Sequence, residues 1–228
     1  LSAAATLWSA RYVVDRMNII PRNKKGVWKA TALVVGATGS IGSSLSKLLA
    51  QCVDKIVIMA PNSLKLQELE SSIRAIDKRV EIVMTTDSNS HISEADVIVT
   101  ATSVYEGSIF NMDLVKPGCV IVECSRPLNI SKKEVKSRPD VIVINSGEVI
   151  LPGNLDFRMN LGLSKGVVFA CLAETVVLCL EGLIEPFSLS REIPWQNIKK
   201  IYSLSRKHGV KLAPLESILG DVSDKMID

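Results

Sequence analysis

The rhythm of hydrophobic and polar positions changes along this chain, and the changes predict its elements. Between residues 29 and 146, short β-branched runs alternate with polar segments whose apolar residues recur at helical spacing. The runs occupy 32–35, 55–59, 80–84, 96–100, 119–123 and 141–144. Most lack apolar–polar alternation, as expected of strands covered on both faces of a parallel sheet. The clearest helices are 41–52 and 63–76. In the second, Leu64, Leu66, Leu69, Ile73 and Ile76 supply the spacing, with Ser63 as the expected N-cap. Six strands joined by crossovers predict a doubly wound parallel α/β sheet of the Rossmann kind, with flanking N- and C-terminal helices.

The flanks read differently. Residues 1–20 form one amphipathic helix, stopped by Pro21 and a basic linker containing Gly26. A long helix is expected over 160–184, and a second over 194–208 with Pro194 in its first turn. The chain therefore divides into 1–28, a bracing helix and linker; 29–152, the nucleotide domain; and 153–228, C-terminal helices whose tail past Asp221 is expected to fray. The first residue is Leu, and the flanking helices read as braces for a substrate region outside this chain. The most apolar run, 167–184, approaches membrane-spanning length. Glu174 and Glu181 interrupt it, so a buried helix is expected, not a transmembrane segment.

Composition narrows the classes. The 228 residues are 47% hydrophobic, 22% charged and 4% aromatic, which excludes collagen, low-complexity disorder and a coiled coil. The net charge is +3 and no basic stripe is interleaved with aromatics, so nucleic acid is not the expected partner. Five cysteines in no CxxC or His-paired spacing point away from disulfides and metal and toward a cytoplasmic protein. The oligomeric state stays open.

The first strand runs into Gly36-Ala37-Thr38-Gly39-Ser40-Ile41-Gly42 and then a helix. Gly36 permits the tight turn, Gly39 lets backbone N–H groups approach a pyrophosphate, and Gly42 lets the helix pack against the strand. The helix then presents its positive end to the phosphates. Gly36, Thr38, Gly39, Ser40 and Ile41 are thus candidate cofactor-binding residues. An NAD site usually ends its second strand in a carboxylate; here Met59-Ala60-Pro61-Asn62-Ser63 has none before Glu68. Asn62, Ser63 and Lys65 can donate to a 2′-phosphate, so NADPH is the expected cofactor. Ala101, Thr102 and Ser103 form a small hydroxyl-bearing turn after the fourth strand, read either as passing beside the cofactor or as an ordinary loop.

The reduction chemistry is less local. A Tyr-xxx-Lys pair, which short-chain dehydrogenases need, is absent: Tyr12, Tyr105 and Tyr202 are followed four residues on by Arg16, Ile109 and Arg206. The Lys–Asp pair of shikimate dehydrogenases would lie in a preceding domain. Phe169-Ala170-Cys171-Leu172-Ala173-Glu174-Thr175, with Lys207-His208-Gly209-Val210-Lys211 further on, resembles the long-chain acyl-(acyl-carrier-protein) reductases of alkane biosynthesis. The resemblance extends upstream through the glycine loop, residues 94–103 and 141–149, and Leu155-Asp156-Phe157.

That resemblance implies a fatty acyl thioester substrate, from acyl carrier protein or coenzyme A, reduced by NADPH to a fatty aldehyde. It makes Cys171 the nucleophile that holds the acyl group. The chemistry is sensible in itself, since a thiolate attacks thioesters near neutral pH. A helix beginning near Gly166 would direct its positive end toward that sulfur. Against this stands the plainer reading of a cysteine in an apolar helix as a small core residue, which fits Cys179. His208 is read either as a proton donor near the thioester or as a helix-terminal feature before glycine. The segment Glu123-Cys124-Ser125-Arg126-Pro127 departs from the glycine-rich loop of those reductases, so the acyl-chain specificity is expected to differ. Two alternatives remain: a shikimate or hydroxy-acid type dehydrogenase, and a non-catalytic nucleotide-binding module.

Overall fold

The computed structural model describes residues 1–103, 109–153, 155, 158, 160–188 and 193–227. Tyr105, Asp156 and Phe157 lie outside them.

The chain opens with α1 (Ser2–Met17) and then builds β1 (Trp28–Val35), α2 (Ser40–Leu49), β2 (Val53–Met59), α3 (Ser63–Ile76), β3 (Glu81–Thr85), β4 (Val97–Thr100), β5 (Val120–Glu123), α4 (Lys132–Ser137) and β6 (Ile142–Asn145). These six strands form one parallel sheet in the order β3-β2-β1-β4-β5-β6. The doubly wound sheet read from the hydrophobic runs is therefore present. Alternate residues serve opposite faces. Ala32, Val34, Ile56, Ile58, Val97 and Val99 join the cluster under α1, α2 and α3, while Leu33, Val57 and Ile98 join one with Ile92, Phe110 and Ile130. The period-2 signal is thus real but hidden, because both faces are apolar.

Helix α1 ends at Met17, short of the expected 20, because Asn18 adopts a left-handed conformation and donates its N–H to the Val14 carbonyl. Its buried residues are mostly small, Ala3, Ala4, Ala5, Ser9 and Ala10 among them, which lets it lie close to α2 and β5. Asn62, rather than Ser63, caps α3 by accepting the Lys65 N–H at 3.0 Å.

The C-terminal part departs further from expectation. After β7 (Glu148–Ile150) come β8 (Val167–Phe169), α5 (Ala170–Leu180), α6 (Trp195–Lys207) and β9 (Lys211–Leu212), then β10 (Glu216–Ser217), β11 (Gly220–Asp221) and α7 (Asp224–Ile227). The long helix expected over 160–184 shrinks to α5. Residues 167–169 instead pair antiparallel with β7, whose other edge takes β9. Gly166 at φ +82° turns the chain into that strand. Beyond α5, Gly182 at φ +66° closes a Schellman motif: its N–H donates to Cys179 O, and that of Leu183 to Leu178 O. Within the tail, Asp224–Ile227 form α7, and Ile227 is buried. Among the described residues, no helix is long and apolar enough to cross a membrane.

Candidate functional site

The strand order reverses between β1 and β4, and ligands of open α/β sheets bind in the crevice at such a point. Gly36 follows β1 at φ +83°. Its N–H and that of Ala37 both donate to Met59 O, at 3.0 and 2.9 Å, so the turn starts from the β1–β2 ladder. Across the reversal, Ala101 donates to Val35 O at 2.9 Å.

The three glycines are not equivalent. A Cβ on Gly36 would meet Ala101 O at 2.5 Å, and one on Gly42 would meet Gly36 O at 2.1 Å. Packing within the protein therefore demands both. A Cβ on Gly39 would meet Gly36 O at 3.4 Å and Ala101 O at 3.7 Å, ordinary contact at an ordinary φ of −73°. Nothing in the fold requires glycine there, whereas the approach of a phosphate to the backbone would. Gly39 is also the N-cap of α2 and supplies no side-chain cap, leaving the first turn open toward the crevice. The loop fits a dinucleotide.

The opposite side of the crevice comes from the C-terminal part. The Ala170 N–H donates to Gly147 O at 2.8 Å, fastening the start of α5 to the turn between β6 and β7. Cys171 is the second residue of α5, not one buried in the middle of a longer helix, and its thiol is exposed. A cavity of about 370 Å³ brings Cys171 together with Gly39, Ser40, Ile41, Ala101, Thr102 and Ser103. Thr38 does not line it. Asn62 and Ser63 do not line it either; they sit exposed beyond the end of β2, where a ribose 2′ substituent belongs.

Several residues at this crevice have contacts that the sequence does not assign, although the segment 123–127 is marked there as departing from the reductases' loop. Ser125 and Asn129 hold the turn after β4: Thr102 donates its N–H to Ser125 Oγ at 3.0 Å and its hydroxyl to Asn129 Oδ1 at 2.7 Å. The Thr102 hydroxyl is thus engaged within the protein. Arg126 also lines the cavity, held by Ser125 O at 2.8 Å, Ser146 O at 3.2 Å and an ion pair with Glu148. Burial pushes the Glu148 carboxyl up, and Arg126 pulls against that. Glu123, at the end of β5, accepts the N–H groups of Asn129 and Ile130. Its burial outweighs those bonds and raises it to about 6. The available signal was position, since all these residues follow carboxyl ends of parallel strands.

The remaining cysteines contrast with Cys171. Burial raises the thiols of Cys52, Cys119 and Cys124, the last of which lines the same cavity. Cys179 is exposed but lies outside the cavity, eight residues along α5. His208 is not brought to the thiol. It ends α6 in a second Schellman motif with Gly209, and its Nε2 lies 2.5 Å from Glu181 Oε1, which Lys207 also contacts at 2.7 Å. Glu181 is ten residues after Cys171, roughly 15 Å along the helix axis. Lys207 and His208 hold the Glu181 carboxyl below the usual range.

Residues 19–148 match the family described as shikimate / quinate 5-dehydrogenase. The chain belongs to that family. It carries the dinucleotide-binding unit of an NAD(P)-dependent oxidoreductase, and the family match stops before α5 and Cys171. Two curated relatives reach further. Aminotransferase PigE of Serratia sp. (strain ATCC 39006) is 30% identical over 190 residues, covering 81% of this chain and 22% of that protein. The long-chain acyl-[acyl-carrier-protein] reductase of Synechococcus elongatus is 28% identical over 190 residues, covering 80% and 53%. The chain thus spans about half or less of these relatives. Among solved structures, the quinate dehydrogenase of Corynebacterium glutamicum in complex with NAD aligns at TM-score 0.47 and 15% identity, over 61% of this chain and 50% of that one. A quinone oxidoreductase of Thermus thermophilus aligns at 0.43 and 14%, over 92% and 62%.

Proposed function

We propose that this chain is the nucleotide-binding and nucleophile-bearing part of an NADPH-dependent acyl-thioester reductase that forms a fatty aldehyde through an acyl group on Cys171. The observation that carries the proposal is one cavity shared by an exposed thiol at the start of a helix and the glycine loop. An oxidoreductase that only moves hydride between the cofactor and a hydroxy or keto acid has no use for a thiol there. The relative described as an acyl-[acyl-carrier-protein] reductase supports the same reading.

In this mechanism Cys171 attacks the thioester carbonyl as a thiolate. The new C–S bond forms as the donor's C–S bond breaks, and the departing thiolate takes up the proton the cysteine gave away. When bound, NADPH supplies two electrons as hydride to that carbonyl. Cys171 is then expelled as thiolate, leaving the aldehyde. The start of α2 at Ser40 and Ile41 would face the diphosphate with the helix's positive end, Gly39 leaving it room while its own N–H donates to Gly36 O at 3.1 Å, and Asn62, Ser63 and Lys65 would receive the 2′-phosphate. His208 has no role at the thiol; it serves the end of α6.

Incubating the complete protein with acyl donor but no NADPH should give one acyl adduct by intact mass, mapped to Cys171 and absent in Cys171→Ser. No adduct, or one that survives the substitution, overturns the proposal. The family match favours one second reading, a shikimate- or hydroxy-acid-type dehydrogenase. It needs no cysteine, so turnover of such a substrate after complete alkylation by iodoacetamide would select it.

A further inference from the structure

The cavity at Cys171 has neighbours on two sides. One, of about 370 Å³, shares Arg126 and Phe169 with it. The other, of about 270 Å³ between α1, α5 and α6, shares Cys171 itself. The thiol therefore stands between two spaces. The second joins apolar walls at Ile41, Phe187, Ile193, Ile198 and Ile201 to polar side chains engaged within the protein: Ser188 donates to Glu174, and Asn197 donates its amide to Phe187 O at 3.3 Å. The first joins apolar walls at Leu161, Leu163 and Val167 to three acceptor-bearing side chains, Asn145, Glu148 and Glu216.

Asn145 is the informative residue. Its Oδ1 is buried and has no hydrogen-bond partner among the described residues. A buried acceptor keeps the cost of lost hydration unless a donor reaches it. Glu148 is engaged with Arg126, and Glu216 accepts the Ser164 hydroxyl at 3.3 Å. Both keep a second carboxylate oxygen for further donors. The cavity thus asks for a ligand with N–H or O–H donors on an otherwise apolar chain.

Resting on the acyl-transfer reading above, we infer that this cavity, with its unpartnered acceptor, receives the pantetheine arm of the thioester donor, while the acyl chain enters the cavity between α1, α5 and α6, along its isoleucines and Phe187. A pantetheine arm carries two secondary amides, a hydroxyl and a geminal dimethyl group, which meet the acceptors and the apolar walls. The two substituents of a thioester carbonyl leave its carbon in different directions. A thiol attacking that carbon needs space on both sides, and Cys171 has it. Asn145 Oδ1 accepts an amide N–H of the arm, and the charged end of the donor stays outside.

The arm is common to coenzyme A and carrier proteins, so the test varies the donor at constant acyl group. Acylation of Cys171 in the complete protein is followed by mass against time with an S-ethyl thioester, an acyl-pantetheine, an acyl-coenzyme A and an acyl-carrier protein. The pantetheine donor should outpace the S-ethyl donor, and Asn145→Leu should reduce that ratio about tenfold, one good hydrogen bond to a buried group. Glu216→Gln, a milder change, should reduce it in the same direction. Retained NADPH binding reports that each variant is folded. Coenzyme A or carrier-protein rates above the pantetheine rate support the arm and identify its source. Equal rates from all four donors, or an unchanged ratio in both variants, overturn the arm assignment while leaving acylation of Cys171 standing. No adduct from any donor overturns both.

Discussion

The two sides of the crevice are built on different principles. The side made by β1, β4 and the glycine loop is a surface of backbone: Gly36, Gly42 and Ala101 approach so closely that a single methyl group has no room. The side made by Gly147, Phe169 and α5 is a surface of side chains, with an exposed thiol at a helix start that the β7–β8 pairing and the Ala170–Gly147 backbone bond hold in place. The family match covers the first and stops before the second. A nucleotide is recognised mainly through its phosphates, which backbone N–H groups satisfy at any sequence that permits the turn. A reaction needs one particular atom, and that atom can be changed without disturbing the fold.

The largest effect should fall on the backbone side. Gly42→Ala places a methyl against the Gly36 carbonyl and should cost about 3 kcal/mol of stability. Gly39→Ala, three residues earlier, should change stability by no more than about 0.5 kcal/mol, because its Cβ has room. It should weaken NADPH binding by about tenfold, since the methyl occupies the approach of a phosphate. Cys171→Ala should resemble Gly39→Ala in stability but leave NADPH binding intact. Urea midpoints and cofactor titration of the three variants check this; if Gly39→Ala unfolds the protein as Gly42→Ala does, the distinction between fold-required and ligand-required glycines is broken.

The next effect concerns Glu123, which ties down the turn carrying Arg126 where the two sides meet. Its carboxyl ionises near 4.5 when unfolded and near 6 in the fold. Below pH 4.5 both states hold the proton and the group contributes nothing. Between 4.5 and 6 the unfolded state ionises first, so the native state loses up to about 2 kcal/mol, in full above pH 6. Relative to wild type, Glu123→Gln should therefore grow more stable by about that amount from pH 4 to pH 7. A stability difference independent of pH, measured by urea unfolding, would show that the carboxylate is not held against its burial.

A smaller effect tests the nucleotide end. Lys65→Glu sets a carboxylate beside the expected 2′-phosphate and should raise the Kd for NADPH about tenfold while leaving that for NADH within a factor of about two. Equal loss of both cofactors would mean that Lys65 does not face the 2′ position.

The legibility of the sequence follows the same division. The six parallel strands could be read because each is a local apolar run, and the three glycines because a tight turn leaves few alternatives at Gly36 and Gly42. The antiparallel sheet of β7, β8 and β9 could not. Val167–Phe169 has the same apolar composition as the helix after it, and only its pairing with β7 makes it a strand. Cys171 stood out through resemblance alone; its exposure depends on the helix starting at Ala170, which that pairing decides. Asn145 was missed, and Arg126 was marked only as part of a departing loop, because their meeting depends on β5 and β6 lying side by side, a fact of topology rather than of spacing.

The smallest effect should come from His208. The sequence leaves His208 between a proton donor near the thioester and a helix-terminal feature; the histidine caps α6 and faces Glu181 at the far end of α5. A proton donor must reach the reacting atoms directly or through one water. A separation of roughly 15 Å along α5 is too long for either route. His208→Ala should therefore leave the rate of Cys171 acylation within a factor of about two, with only a slight loss of stability, as for other partly exposed pairs. A tenfold fall in acylation at unchanged urea midpoint would mean that α5 presents its C-terminal end to the substrate as well. The thiol side of the crevice would then extend along the whole helix rather than resting on its first turn.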